Sequence, residues 1–297
     1  MSIMAENVAS PTPTPNPSPQ GGGGQISPGL APSPLVGEGR GGGAGLVPND
    51  QLFDSLLRLG DNALILGQQL TFWISRAPTL ELDIALANYS LDLIGQARLW
   101  LDYAGRVEAV GRDEDALAMG RQAHEFRNLH LVEVPNGDFA HAMLRQFLFA
   151  SFARLNYEQA AGSRDAEVEG IAGKAVKEMA YHARHAGEWV VRLGDGTEES
   201  HERMARALEE LWPYAHELFM ADDIDRAVAA AGILPDPAGL KEPWLAEVDG
   251  VLERATLSRP GDGWRPEGGR RGLHTEHLSH ILAEMQVLPR SIPGARW

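Results

Sequence analysis

The chain has 297 residues, of which 43% are hydrophobic, with no cysteine and a formal charge of −15. The absence of Cys excludes a disulfide framework, a thiolate metal site, a Cys nucleophile and a Cys-held iron–sulfur cluster. The acidic balance argues against nonspecific nucleic-acid binding, which needs basic surface to displace counterions.

The first 48 residues hold 9 Pro and 11 Gly but three charged residues. They show neither helical nor alternating apolar period, so they bury too little surface to offset the entropy of ordering. Residues 1–48 are expected to be a disordered tail, polyproline-like around Pro11 to Pro19. Met1 to Ser10 offers neither the basic nor the apolar region of a signal peptide. No later run reaches the ~20 apolar residues of a membrane span, and a cytoplasmic protein is expected.

From Asn49 onward the apolar period is helical. A first helix is predicted over about 50–76, ended by Ala77-Pro78, and a second over 80–108, apolar nearly all round and therefore expected inside a bundle. Residues 109–137 predict two short helices before the turn Pro135-Asn136-Gly137. Asp138 reads as the N-cap of a third long helix to about 161, and a fourth follows over 164–193. A fifth is predicted over 198–231 with a kink at Pro213, a sixth near 240–257, and a seventh near 274–288 closed by Pro289. Long antiparallel pairs joined by a crossover predict an all-α fold: a ferritin-like four-helix bundle over 49–297 with additional C-terminal helices.

Such a bundle holds a di-iron centre when two helices each give a carboxylate and two each give a Glu-x-x-His pair. Helical spacing puts Glu178 and His182 on one face of the fourth helix, but Tyr181 stands where Glu-x-x-His needs its imidazole. On the second helix Asn88, Asp92 and Gln96 form a polar line, with an amide in place of the second His. Counting from the corners brings Asp61 to the level of Asp92 and Gln96, and Arg145 and Gln146 opposite Glu178 and His182. The third helix supplies no acid there, and Arg145 would neutralise a carboxylate that a metal needs. The favoured reading of Asp61, Asp92, Gln96, Gln146, Glu178 and His182 is a vestigial, metal-free polar layer, with no catalytic or cofactor-binding residue assigned. A functional metal site and an acid–base site of another kind stay open beside it. His274, His277, His280 and Glu284 open the last helix, where capping and partner contact compete with metal binding. No phosphate-binding, dinucleotide or nucleophile-elbow motif opens a strand–helix unit.

Several blocks resemble one family: Arg58 to Asn62, Asp83 to Asn88, Leu91 to Arg98, Val134 to Ala140, Lys174 to Glu178 with Tyr181-His182, Gly272 to His277, Leu282 to Gln286 and the terminal Trp297. Over about 52–297 the chain resembles the C subunits of the ring 1,2-phenylacetyl-CoA epoxidases. The resemblance implies a ferritin-like, non-catalytic subunit of a bacterial multicomponent monooxygenase of aerobic phenylacetate degradation. It implies no cofactor in this chain, a di-iron centre and the substrate site in a partner A subunit, and a reductase passing electrons from NADPH through flavin and an iron–sulfur centre.

Partners on this reading are the catalytic A subunit and the other components, with no nucleic acid and no membrane. Trp73, Phe126, Trp212, Phe219 and Trp244 are candidates either for an apolar subunit interface or for the core. Arg270 and Arg271 would meet an acidic partner, the phosphates of coenzyme A, or solvent. The alternatives are a free-standing di-iron oxidase or iron-binding bundle using Asp61, Asp92, Glu178, His182 and His185, and a module that delivers the thioester substrate.

Overall fold

The computed structural model describes residues 47–261, 263–292 and 294, so the expectations for residues 1–46 lie outside it. Among the described residues every regular element is helical: α1 (Asn49–Thr71), α2 (Leu80–Glu108), α3 (Glu114–Met119), α4 (His130–Glu133), α5 (Phe139–Ala160), α6 (Ala166–Gly194), α7 (Glu198–Ala215), α8 (Asp223–Ala230), α9 (Lys241–Arg254) and α10 (Glu276–Ser291). Helices α1, α2, α5 and α6 form a ferritin-like four-helix bundle, and α7 to α10 pack around it.

The helix starts follow local chemistry. Thr79, Asp138, Asp165 and Thr197 each sit in extended backbone and accept an amide N–H of the first turn of α2, α5, α6 and α7. Asp138 is thus the N-cap that the sequence predicts.

Helix α5 lies deepest. Seventeen of its 22 residues are buried, because α6, α7 and α9 all pack against it. Trp100 of α2 stacks on Tyr157 of α5 with ring centres 5.9 Å apart, and Trp244 of α9 donates its indole N–H to the Leu148 carbonyl at 3.0 Å. Close packing of α1 on α2 requires Gly60, since a Cβ there would sit 2.8 Å from Leu101 Cδ2.

Four expectations change. Helix α1 ends at Thr71 rather than near 76: Ser75 takes a left-handed backbone (φ 70°) and its N–H is captured by Asp83 Oδ1 at 2.6 Å. The stretch 198–231 is not one helix. It passes through a 3-10 turn (His216–Phe219) and extended Met220 before Asp222 caps α8, while Pro213 stays inside α7. Pro289 likewise lies within α10, which runs on to Ser291. Helix α2 is not enclosed on all sides, since Leu80, Ile84, Leu91 and Ile94 are exposed along one face.

Most of the aromatics weighed as interface candidates prove to be interior. Phe126, Phe219 and Trp244 are buried, and Trp73 and Trp212 are partly so. No helix of the described residues is long and apolar enough to cross a membrane.

Candidate functional site

Five of the six residues singled out from helical spacing do meet, at the α2–α5–α6 junction. Fully buried His182 lies 3.1 Å from Asp92 Oδ2 through Nε2 and 3.1 Å from the Gln146 amide nitrogen through Nδ1. Gln96 donates its amide N–H to Glu178 Oε2 at 2.8 Å, and Lys174 approaches the other Glu178 oxygen at 3.8 Å. Each link joins residues that helical periodicity places on facing sides of the bundle.

These partners fix the state of the imidazole. An ionised carboxylate accepts only, so Nε2 carries the proton and donates to Asp92, while Nδ1 accepts the Gln146 N–H. Burial lowers the pKa of His182 and outweighs the opposing pull of Asp92, in keeping with a neutral ring. The layer opens toward solvent along the α2–α6 edge, where the Asp92 side chain is 37% exposed and a Cβ on Gly95 would touch nothing within 4 Å.

Asp61 does not join the layer. Both its carboxylate oxygens are taken by the guanidinium of Arg121, one at 2.9 Å, and it also accepts the Arg127 backbone N–H at 2.8 Å. Arg121 follows α3 in the irregular connection, which has no apolar period to place it. Arg145 does not neutralise the layer either. It turns away to the Val134 carbonyl at 2.8 Å and to the Asn136 side chain, and among the described residues no carboxylate pairs with it. Burial without an anionic partner pushes its guanidinium down to about 10.

His185 stands outside the layer as well. The Tyr89 hydroxyl shares a hydrogen bond with His185 Nδ1 at 2.5 Å, and Tyr181 stacks on the imidazole with ring centres 5.6 Å apart.

A di-iron group does not fit this donor set. Among the described residues no three His, Asp or Glu side chains converge closely enough to hold a metal ion. Both His182 nitrogens are engaged, Asp61 is locked by Arg121, and the α5 position offers an amide whose buried Oε1 finds no partner. Iron in such bundles needs carboxylates on each facing helix, not amides.

A second buried network ties the C-terminal segment down. Glu217 of the 3-10 turn after α7 accepts the His130 backbone N–H at 2.8 Å, the His130 Nδ1–H at 3.0 Å, and the N–H groups of Gly268 and Gly269 at 3.0 and 2.9 Å. His130 donates its other ring N–H to the Leu273 carbonyl at 2.8 Å. Burial opposes charge on His130, but the Glu217 carboxylate outweighs it and raises the pKa.

Beside this pair, Glu133 takes His274 Nδ1 at 2.7 Å, the Thr275 N–H at 2.7 Å and the Asn128 amide at 2.8 Å. His274 is therefore a buried anchor for the start of α10, not a member of a metal cluster with His280 and Glu284, which are exposed. Arg270 is buried on the Leu218 and Met220 carbonyls and Asp225, so it is not a surface contact for a partner or for coenzyme A, whereas Arg271 is exposed. Sequence reasoning missed Arg121, Glu133 and Glu217, whose charged or imidazole partners Asp61, His274 and His130 lie 60 or more residues away.

Residues 46–297 match the family described as phenylacetic acid catabolic protein. The chain is 46% identical over 248 residues to the C subunit of the 1,2-phenylacetyl-CoA epoxidase of Escherichia coli (strain K12), a match that covers 84% of this chain and 100% of that protein. On both coverage and identity, the chain belongs to the phenylacetic acid catabolic protein family.

Proposed function

We propose that this chain is the non-catalytic C subunit of an epoxidase that acts on the ring of phenylacetyl-CoA. One observation carries the reading beyond family membership: His182, the imidazole best placed to bind metal, has its free lone pair consumed by the Gln146 amide. A bundle of this family whose ligand positions bond to one another instead of converging on a metal has kept the scaffold of an oxygenase without the means to activate dioxygen. The 46% identity along the entire length of an epoxidase C subunit supports the same assignment.

On this reading the di-iron centre and the thioester site belong to a catalytic A subunit of related fold. Electrons reach that subunit from NADPH through the flavin and iron–sulfur centre of a reductase, and the assembly is cytoplasmic. This chain binds no cofactor of its own and stiffens the helices that carry its partner's ligands, since sites held by packing and supporting contacts are more precise than loose ones.

The test is co-expression with the catalytic subunit. A stable complex is expected, and epoxidase activity is expected only when this chain is present. Full activity of the remaining components alone, or purified chain retaining about two irons and oxidising substrate by itself, would overturn the assignment.

A further inference from the structure

The added helices wrap the bundle unevenly. Helices α7 and α9 pack on α5 and α6, while α8 and α10 pack on α1. Helix α2 packs mainly on its bundle neighbours α1 and α6 and on the short α3. The consequence shows in exposure. Twelve large hydrophobic side chains are exposed among the described residues, and four of them, Leu80, Ile84, Leu91 and Ile94, lie on α2, whereas α1 and α5 expose none and α6 only Tyr181. Leu80 is 71% exposed and Leu91 66%. Single exposed apolar residues are ordinary, but a contiguous set marks a contact surface.

The spacing of the set says what it contacts. With half-buried Ala87 between Ile84 and Leu91, the residues follow one another at steps of 4, 3, 4 and 3. That is a repeat of 3.5, by which one helix seats its side chains between those of another. An extended chain alternates with period two and matches no such stripe. Leu80 and Ile94 stand 14 positions apart, so the stripe is ~21 Å long, about four helical turns.

The occupant follows from the function proposed above, on which this inference rests. A scaffold stiffens the ligand-bearing helices of a partner by packing a rigid element against them. Helices α1, α5 and α6 already carry α7 to α10. Helix α2 has the uncovered apolar stripe, and its other side is held in the polar layer through Asp92 and Gln96. We infer that the stripe Leu80, Ile84, Ala87, Leu91 and Ile94 is the docking surface for an amphipathic helix of the catalytic subunit's own bundle. A second copy of this chain presents the same stripe, and the experiment separates the two occupants.

The purified full chain is titrated against the immobilised catalytic subunit, and its own mass in solution is measured by sedimentation. Ile84→Glu and Leu91→Glu change solvent-exposed positions, so each is expected to keep its helical circular dichroism. Each is expected to weaken the complex about tenfold or more, since a charge is buried without a partner, and the double variant to abolish it. Val287→Glu, at an exposed apolar position on α10, is expected to leave affinity unchanged. Because the sequence has no cysteine, Leu91→Cys supplies a single thiol, expected to react with a maleimide in the free chain and to be protected in the complex. Undiminished affinity in the double variant, an equal loss in Val287→Glu, or an unprotected thiol in the complex overturns the surface and leaves the epoxidase role standing. Failure of the unaltered chain to bind the catalytic subunit overturns that role and the occupant together. A chain that dimerises alone, and that Leu91→Glu makes monomeric without loss of affinity for the catalytic subunit, assigns the stripe to a second copy and overturns the inference.

Discussion

Gln146 donates an amide N–H to Nδ1 of His182 at 3.1 Å, deep between α5 and α6. The residue on the helix that should supply a metal carboxylate thereby occupies the lone pair that a metal would take. The remaining His182 proton goes to Asp92, so the ring satisfies itself entirely within the protein.

Removing that amide leaves a buried acceptor with nothing to accept. Gln146→Leu is expected to destabilise the chain by about 1–3 kcal/mol, the range for an orphaned buried polar group. Urea unfolding followed by circular dichroism measures it. Gln146→Glu restores a carboxylate but is expected to leave iron content unchanged, because Asp61 stays locked and no second imidazole is supplied. Stoichiometric iron in that single variant would contradict the account of the layer.

The Asp61–Arg121 pair makes a sharper claim about stability. Both side chains are buried, so Asp61→Leu strands an arginine charge and is expected to lose about 3–5 kcal/mol. The double variant Asp61→Leu/Arg121→Met removes both charges and should recover most of that loss. Recovery stays incomplete because the Arg127 backbone N–H also loses its acceptor. Equal stability of single and double variants would mean that the pairing contributes nothing.

What is legible in the sequence divides along these same contacts. Asp92–His182 and Gln96–Glu178 join long regular helices, where spacing alone fixes which residues face one another. Helical counting places Asp61 at the right level but with the wrong partners, because Arg121 arrives from an aperiodic connection whose path no repeat encodes. The same counting points Arg145 at the layer, yet its guanidinium reaches the chain just before α5 instead. The Glu133 and Glu217 networks are illegible for a related reason. Each gathers donors from separate segments far apart in the chain, and hydrogen bonds over such distances leave no local pattern.

Gly272 allows one of those loops to close. Its φ of 79° lies in the left-handed region, and a Cβ there would be driven into the His124 carbonyl. Gly272→Ala is therefore both strained in backbone and obstructed in space. A loss of about 2 kcal/mol or more is expected, with faster amide exchange at the start of α10, where Thr275 N–H is held by Glu133. Wild-type stability and protection in this variant would show that the loop relaxes without consequence.

The His130–Glu217 pair sets a pH dependence whose direction follows from the two shifts. His130 has a pKa raised above the ordinary 6.5, where burial opposes its charge but Glu217 prevails. Its contribution is full below about pH 6.5 and is lost as pH rises through the raised value. Glu217 is shifted the other way: burial opposes its charge, yet hydrogen bonds from His130 and Gly269 hold it below the ordinary 4.5. That contribution is present above about pH 4.5 and disappears as pH falls through the lowered value. The pair therefore stabilises most between these limits, and stability should decline on the alkaline side as His130 loses its proton. Glu217→Gln removes the anion that keeps His130 charged, so His130 no longer favours the folded state as pH drops toward 6.5. The variant is expected to be less stable by about 3 kcal/mol near pH 6, with the gap narrowing as pH rises. Urea midpoints from about pH 4 to 9, compared between wild type and Glu217→Gln, measure this directly. A gap that stays constant across that range would show that the pair acts by packing and neutral hydrogen bonds, and would remove the electrostatic account of the clamp.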